Sequence, residues 1–174
     1  MTNDHPLPSD VRIGHVHLRV ADLDRSIAFY RDVIGFTVNV DGRAFGVPAA
    51  FLAAGGYHHH LALNTFEGDC ATPVPPGHTG LYHLAIVYPD RPSLARAIAR
   101  VLAHGGSFDS GRDHGATVSA YLKDPDGNGV ELYYDRPRHE WFDDKGRFLV
   151  KNERIDVTRL LDEVPRDTEV TLTT

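Results

Sequence analysis

The sequence predicts an α+β fold in which one strand–helix–strands module is used twice, and three observations carry that reading. A strand pattern containing His15 leads, seven residues after the histidine, to Asp22 at a helix start, and a second strand pattern containing His83 leads, at the same interval, to Asp90 at another. Each helix pattern gives way to short β-like runs separated by Gly, Pro and Asp turn signals. A length of 174 residues suits one well-packed core and is short for two independent ones. Two such modules would complete a curved, cup-shaped mixed sheet whose inner face is shared between them.

In chain order, residues 1–10 (MTNDHPLPSD) are polar and read as a flexible N-terminus, with neither the basic nor the apolar segment of a secretory leader. Module one spans 11–66. VRIGHVHLRV has strand character, and ADLDRSIAFYRDVIGF reads as a helix with Asp22 as N-cap, Leu23, Ile27, Tyr30 and Ile34 as an apolar stripe, and Gly35 at its stop. FTVNV, AAFLAA and YHHHLALNTF follow as strands. A Pro- and Gly-rich linker covers 67–78. Module two, 79–136, repeats the order: GLYHLAIVY as a strand, then a helix with Leu94, Ala97, Ile98, Val101 and Leu102 on one face. GATVSAYLKD and NGVELYYD are two further strands joined by the Pro125–Gly129 turn. The extension, 137–174, suggests a hairpin in which Trp141-Phe142 and Phe148-Leu149-Val150 flank the Asp143–Gly146 turn, a short helix near Ile155–Val164, and a frayed TEVTLTT end.

The bulk numbers remove several classes of function. Eighteen basic against 24 acidic residues leave a formal charge of -6 with no basic block, which argues against nucleic acid or an anionic membrane as partner. No apolar run approaches the length needed to cross a bilayer. The single Cys70 allows neither an internal disulfide nor a thiolate metal cage, and a cytoplasmic location is expected. The eleven histidines stand out, because several sit beside apolar residues.

His15 and His17 share one face of their strand, since residues two apart point the same way. If the modules are equivalent, His15 and His83 occupy matching positions and both face the cup. Glu131 sits between Val130 and Leu132 in a strand that is otherwise half apolar, and a buried carboxylate is costly unless it is paired or bound to a cation. Two imidazoles and one carboxylate on rigid strands match the facial triad of non-haem Fe(II) oxygenases. Residue chemistry alone leaves open the alternative that the two histidines bond to loops and the acid reaches solvent at an edge.

GHVHLRVADLDRSIAFYRDVIGF, GLYHLAIVYPDR, LKDPDGNGVELYYDRPR and GGYHHHLALNT resemble the vicinal oxygen chelate superfamily, and look most like its extradiol catechol dioxygenases. The resemblance covers roughly residues 11–142 and implies paired βαβββ modules around a metal cup. It also implies His15, His83 and Glu131 as metal ligands, with Fe(II) as the expected ion and Mn(II), Zn(II) or Ni(II) as alternatives. It makes Tyr121 the active-site tyrosine. Two further histidines handle the substrate proton and bound oxygen: His59, from the His59-His60-Leu61-Ala62 pattern, and His114, two residues nearer Tyr121 than the usual spacing. Strand parity instead directs His58 and His60 into the cup, so His60 is carried beside His59. The implied reaction is ring cleavage of a small aromatic diol by dioxygen in a homodimeric enzyme.

Two rival readings go with the same fold. A glyoxalase-type isomerase or epimerase usually takes a fourth protein ligand from the last strand of the first module, where YHHHLALNTF offers His or Asn but no Glu. A non-enzymatic, antibiotic-sequestering protein would need aromatic walls and no complete triad. His17 reads as a pocket wall, and Asn64 as either a pocket residue or an Asx turn. Arg136 and Arg138 could meet an anionic substituent or pin the tail, and Trp141 could lid the pocket or simply pack. Cys70 reads as inert.

Overall fold

The two helix starts are set by their caps. In the computed structural model, which describes residues 6–68, 72–75 and 77–164, Asp22 accepts from the Arg25 N–H at 3.0 Å and Asp90 from the Ser93 N–H at 2.7 Å. Module one runs β1 (Val16–Arg19), α1 (Leu23–Ala28), β2 (Thr37–Asp41), β3 (Ala49–Ala53) and β4 (Leu61–Asn64). Module two runs β5 (Leu84–Tyr88), α2 (Arg91–Ala103), β6 (Ser110–Gly115), β7 (Thr117–Lys123) and β8 (Gly129–Asp135). α1 continues through a widened π-type segment, Phe29–Ile34, and ends at Gly35, whose φ of 103° suits glycine. Leu23, Ile27, Tyr30 and Ile34 are all buried, as the stripe requires. Leu102 is the exception in α2: it lies at the margin of the apolar face and is 36% exposed, while Ala95 is buried in the stripe instead.

Each module builds its own mixed sheet, ordered β1-β4-β3-β2 and β5-β8-β7-β6, with the helix covering one face. A fifth strand, β9 (Val150–Ile155), extends the second sheet by pairing with β6. The residue pattern shows neither β6 nor β9, because SGRDHG and VKNERI lack apolar alternation, although the βαβββ order implied by the resemblance calls for a strand before β7; β6 forms with β7 and β9 paired on both its edges. Between β8 and β9 the Phe142–Phe148 bridge forms the small hairpin, and the expected short helix is present as a 3₁₀ helix at Val157–Glu163. The strand expected over 57–66 is shorter, with His58 and His59 in the turn before β4. Cys70 and the TEVTLTT end lie outside the described residues. No helix among the described residues is long and apolar enough to cross a membrane.

The turn between β7 and β8 joins the modules. Asp124 Oδ1 accepts from the Asp126 and Asn128 N–H groups at 2.9 and 2.8 Å, which folds the turn. Its Oδ2 accepts from the buried Tyr30 hydroxyl of module one at 2.9 Å. Asp126 accepts from the Arg25 guanidinium, the Ser26 hydroxyl and the Ala21 N–H. From α2, Arg100 donates to the Ile34 carbonyl at 3.2 Å. A groove of about 640 Å³ runs between the β1 edge, at Val16, His17 and Arg19, and Leu81, Tyr82 and Gly129 of module two.

Candidate functional site

The two sheets share one register, and this sets the functional positions. β1 runs parallel to β4 with Val16 opposite Leu61 and His17 opposite Ala62; β5 runs parallel to β8 with Leu84 opposite Val130 and Ala85 opposite Glu131. His15 and His83 each stand one residue before their strand. Superposing the registers therefore makes His83 the counterpart of His15, and Ala62 the counterpart of Glu131. On the neighbouring strands, Phe51 opposite Ala62 matches Tyr121 opposite Glu131. The alternate residues (Leu61, Leu63, Leu52, Val130, Leu132, Ala120) are buried against the helices, so the functional side chains lie on the opposite, cup-side faces.

Module two assembles a continuous chain of polar contacts on that face. The Tyr121 hydroxyl donates to Glu131 Oε1 at 2.7 Å, and Glu131 Oε2 is 2.9 Å from His83 Nε2. His114 Nε2 lies 2.9 Å from the Tyr121 oxygen, and its Nδ1 is 3.3 Å from the Lys151 carbonyl of β9. With its one hydrogen given to Glu131, the Tyr121 oxygen accepts from His114. Burial, then the bond to Glu131, push the Tyr121 phenol up to about 12, with the Ser119 side chain opposing. Glu131 is 8% exposed, and the buried His83 Nδ1 has no hydrogen-bond partner. The carboxylate Oε2 and the imidazole Nε2 meeting at one point are donors of the kind a divalent cation takes, with Nδ1 on the far side of the ring.

Module one gathers the other histidines. The rings of His15 and His59 are 4.5 Å apart, centre to centre, and His59 also packs on Phe51 at 5.2 Å. Burial, then the charges of His15 and His58, hold the His59 imidazole below its ordinary value. His60 is engaged elsewhere: its Nδ1 accepts from the Ala54 N–H at 3.3 Å and its ring lies against Tyr57. Strand parity does not govern these residues, because His58 and His59 precede β4. His17 Nε2 accepts from the Asn64 amide at 2.8 Å. Among the described residues no three His, Cys, Asp or Glu side chains lie close enough together to hold a metal ion. His83 and Glu131 are brought together, and His15 stands apart from them with His59.

The family model for the Glyoxalase/Bleomycin resistance protein/Dioxygenase superfamily matches residues 12–132. The chain belongs to this superfamily. It is 39% identical to a catechol-2,3-dioxygenase of Bacillus subtilis over 99% of this chain and 58% of that protein. It is 32% identical to biphenyl-2,3-diol 1,2-dioxygenase 3 of Rhodococcus globerulus over 71% of this chain and 63% of that one. It thus spans about three-fifths of the length of these two relatives. In structure it is similar to a lactoylglutathione lyase from Agrobacterium tumefaciens, with a TM-score of 0.55 and 27% identity over 74% of this chain and 96% of that one.

Within this superfamily fold, the position equivalent to Glu131 is Ala62, neither the His nor the Asn that the sequence suggests. Asn64 serves both readings, since its Oδ1 closes an Asx turn to the Phe66 N–H while its amide bonds His17. Arg136 pins the tail: it pairs with Asp113 at 2.8 Å, and its carbonyl accepts from the Trp141 indole N–H at 2.6 Å. Arg138 stacks over Trp141 and Phe142. Sequence reasoning missed three residues on the cup face of module two. Ser119 lies two residues from Tyr121 on β7, a spacing that could have found it; Arg112 and Arg154 lie on the unexpected strands β6 and β9.

Proposed function

We propose that the chain is an extradiol ring-cleaving dioxygenase acting on aromatic diols, with Fe(II) held by His15, His83 and Glu131. The observation that carries this reading is the shared register, which provides two histidines but only one carboxylate because Ala62 stands where a second acid would complete a four-ligand site. Two imidazoles and one carboxylate leave coordination positions open for a chelating diol and dioxygen, whereas a fourth protein ligand would fill one of them. The 39% identity to a catechol-2,3-dioxygenase, over nearly all of this chain and 58% of that protein, supports the same choice.

When bound, Fe(II) would supply the positions at which both diol oxygens and dioxygen come together, and would lower the phenol pKa. The chain's own residues manage the protons. His59, neutral near pH 7 because its imidazole is held low, can accept a proton from a diol hydroxyl. Its neighbour His60, already bonded to Ala54, fits a structural role better. Tyr121 keeps its proton at neutral pH, so its hydrogen is available to a diol oxygen once Glu131 is otherwise engaged. His114 stands behind Tyr121 with Nε2 2.9 Å from the phenol oxygen, and in its Nε2–H tautomer it can replace a proton passed forward.

Anaerobic loading with Fe(II), followed by catechol and oxygen, should give a yellow ring-fission product; no colour with any of several catechols refutes the reading. The likeness to a lactoylglutathione lyase favours a second reading, a metal-dependent isomerase. Reloading with Zn(II) or Ni(II) and assaying a hemithioacetal separates the two, since only an isomerase would turn it over.

A further inference from the structure

Two arginines face each other on the cup side of module two without a protein carboxylate between them. Across the sheet, the register places Arg154 (β9), Arg112 (β6), Ser119 (β7), Tyr133 (β8) and Val87 (β5) in one row. The row below it on the same face holds Ser110, Tyr121, Glu131 and Ala85. Between them, Ile155, Gly111, Ala120, Leu132 and Ile86 point the other way, into the core under α2. The two cup-side rows are therefore separated by two residues, about 7 Å along the strands.

Like charges directly opposite one another across a β-pair are destabilising unless an anion meets them. Among the described residues neither Arg112 nor Arg154 forms an ion pair, although seven other arginines do. The acids of this face nearest in register, Glu131 and Asp135, each lie one row away, opposite Tyr121 and Thr117, and neither pairs with them. Ser119 supplies an independent sign. It is fully buried between Arg112 and Tyr133, and its Oγ makes no hydrogen bond of ordinary geometry. A buried hydroxyl without a partner of good geometry is costly, and the register sets this one on the same face as the two arginines, one row from Tyr121.

We infer that the site takes aromatic diols bearing a carboxylate, which Arg112 and Arg154 bind while Ser119 and Tyr133 offer hydroxyls beside it. The inference rests on the dioxygenase reading for the diol and on this row alone for the charge. A ring seated beside Glu131 and Tyr121 can carry a ring carboxylate or carboxymethyl group toward the arginine row. The C-terminal extension then has a specificity role, because it contributes Arg154.

The test compares the KM of the Fe(II)-loaded enzyme for protocatechuate and homoprotocatechuate with that for catechol, alongside calorimetric titration of the unloaded protein with hydroxyphenylacetate, which lacks the diol. The better carboxylated substrate should show a KM at least about tenfold below that of catechol. Arg112→Met should raise that KM about tenfold to a hundredfold, move the KM for catechol far less and abolish hydroxyphenylacetate binding, with Arg112→Lys recovering part of the loss. Arg154→Gln, at an exposed strand position, reports the same effect should Arg112→Met fail to fold. Ring cleavage with equal KM for charged and neutral diols, or a preference untouched by both variants, overturns the inference and leaves the dioxygenase reading standing. Arginine-dependent hydroxyphenylacetate binding without cleavage of any diol upholds the anion site and removes the dioxygenase reading.

Discussion

Replacing Tyr30 with Phe should weaken the joint between the modules by an amount the geometry sets. The Tyr30 hydroxyl is completely buried and donates to Asp124 Oδ2 at 2.9 Å, while Asp124 is only 5% exposed. Phe keeps the ring packing of the helix and removes a single oxygen, so the loss is that of one hydrogen bond to a charged acceptor, about 1.5–3 kcal/mol. Asp124 would still accept from the Asn128 amide and from the Asp126 and Asn128 N–H groups. The remaining carboxylate partners put the expected cost near the middle of that range, about 2 kcal/mol, or about 4–8 °C in Tm for a chain of this size. Urea unfolding of Tyr30→Phe, Asp124→Asn and the double variant measures it, and the cycle should return a coupling of at least about 1 kcal/mol. A loss below about 0.5 kcal/mol with additive single effects would refute the view that this turn holds the modules together.

Tyr121→Phe should lower kcat by about a hundredfold, because it removes both the hydrogen offered to the diol oxygen and the proton path from His114 behind it; an unchanged kcat in steady-state assays would deny Tyr121 that role. Ala62→Glu should retain metal and lose ring cleavage, since it completes a second carboxylate position; metal analysis beside the ring-fission assay decides. For pH, burial and neighbouring imidazoles hold His17 and His59 below the ordinary value of 6.5, so the unfolded chain binds more protons at these sites. Stability should therefore rise with pH through the window below about 6.5 and be lost as pH falls. His17→Gln with His59→Gln should flatten that slope in urea midpoints measured between about pH 5 and 7.

Much of the frame was legible because local chemistry wrote it. Asp22 and Asp90 cap their helices, the Leu23–Ile34 stripe is buried, and the matched His15 and His83 intervals reveal the repeat. The Tyr121–Glu131 pair follows from two strands joined by a short turn. What escaped depends on partners distant in sequence. SGRDHG becomes β6 only because β7 and β9 flank it, and that is also why Arg112 and Arg154 went unnoticed. The His58–His60 run looked like strand because three rings precede LALN, yet only His60 joins the ladder, bonding Leu52 and Val16 through its backbone, while His58 and His59 lie in the turn where parity does not reach. The identity of Ala62 as the counterpart of Glu131 needs the pairing register, which no local pattern contains.

The most direct test is the coordination of a bound Fe(II) ion, read by metal stoichiometry and X-ray absorption on the parent chain and on His15→Ala, His83→Ala and Glu131→Ala. One ion per chain is expected, with two imidazole nitrogens and a carboxylate oxygen at about 2.0–2.2 Å, and each substitution should remove it or strip the matching donor. An ion whose stoichiometry and donor set are unchanged in His15→Ala would contradict the proposal that both modules hold one cation.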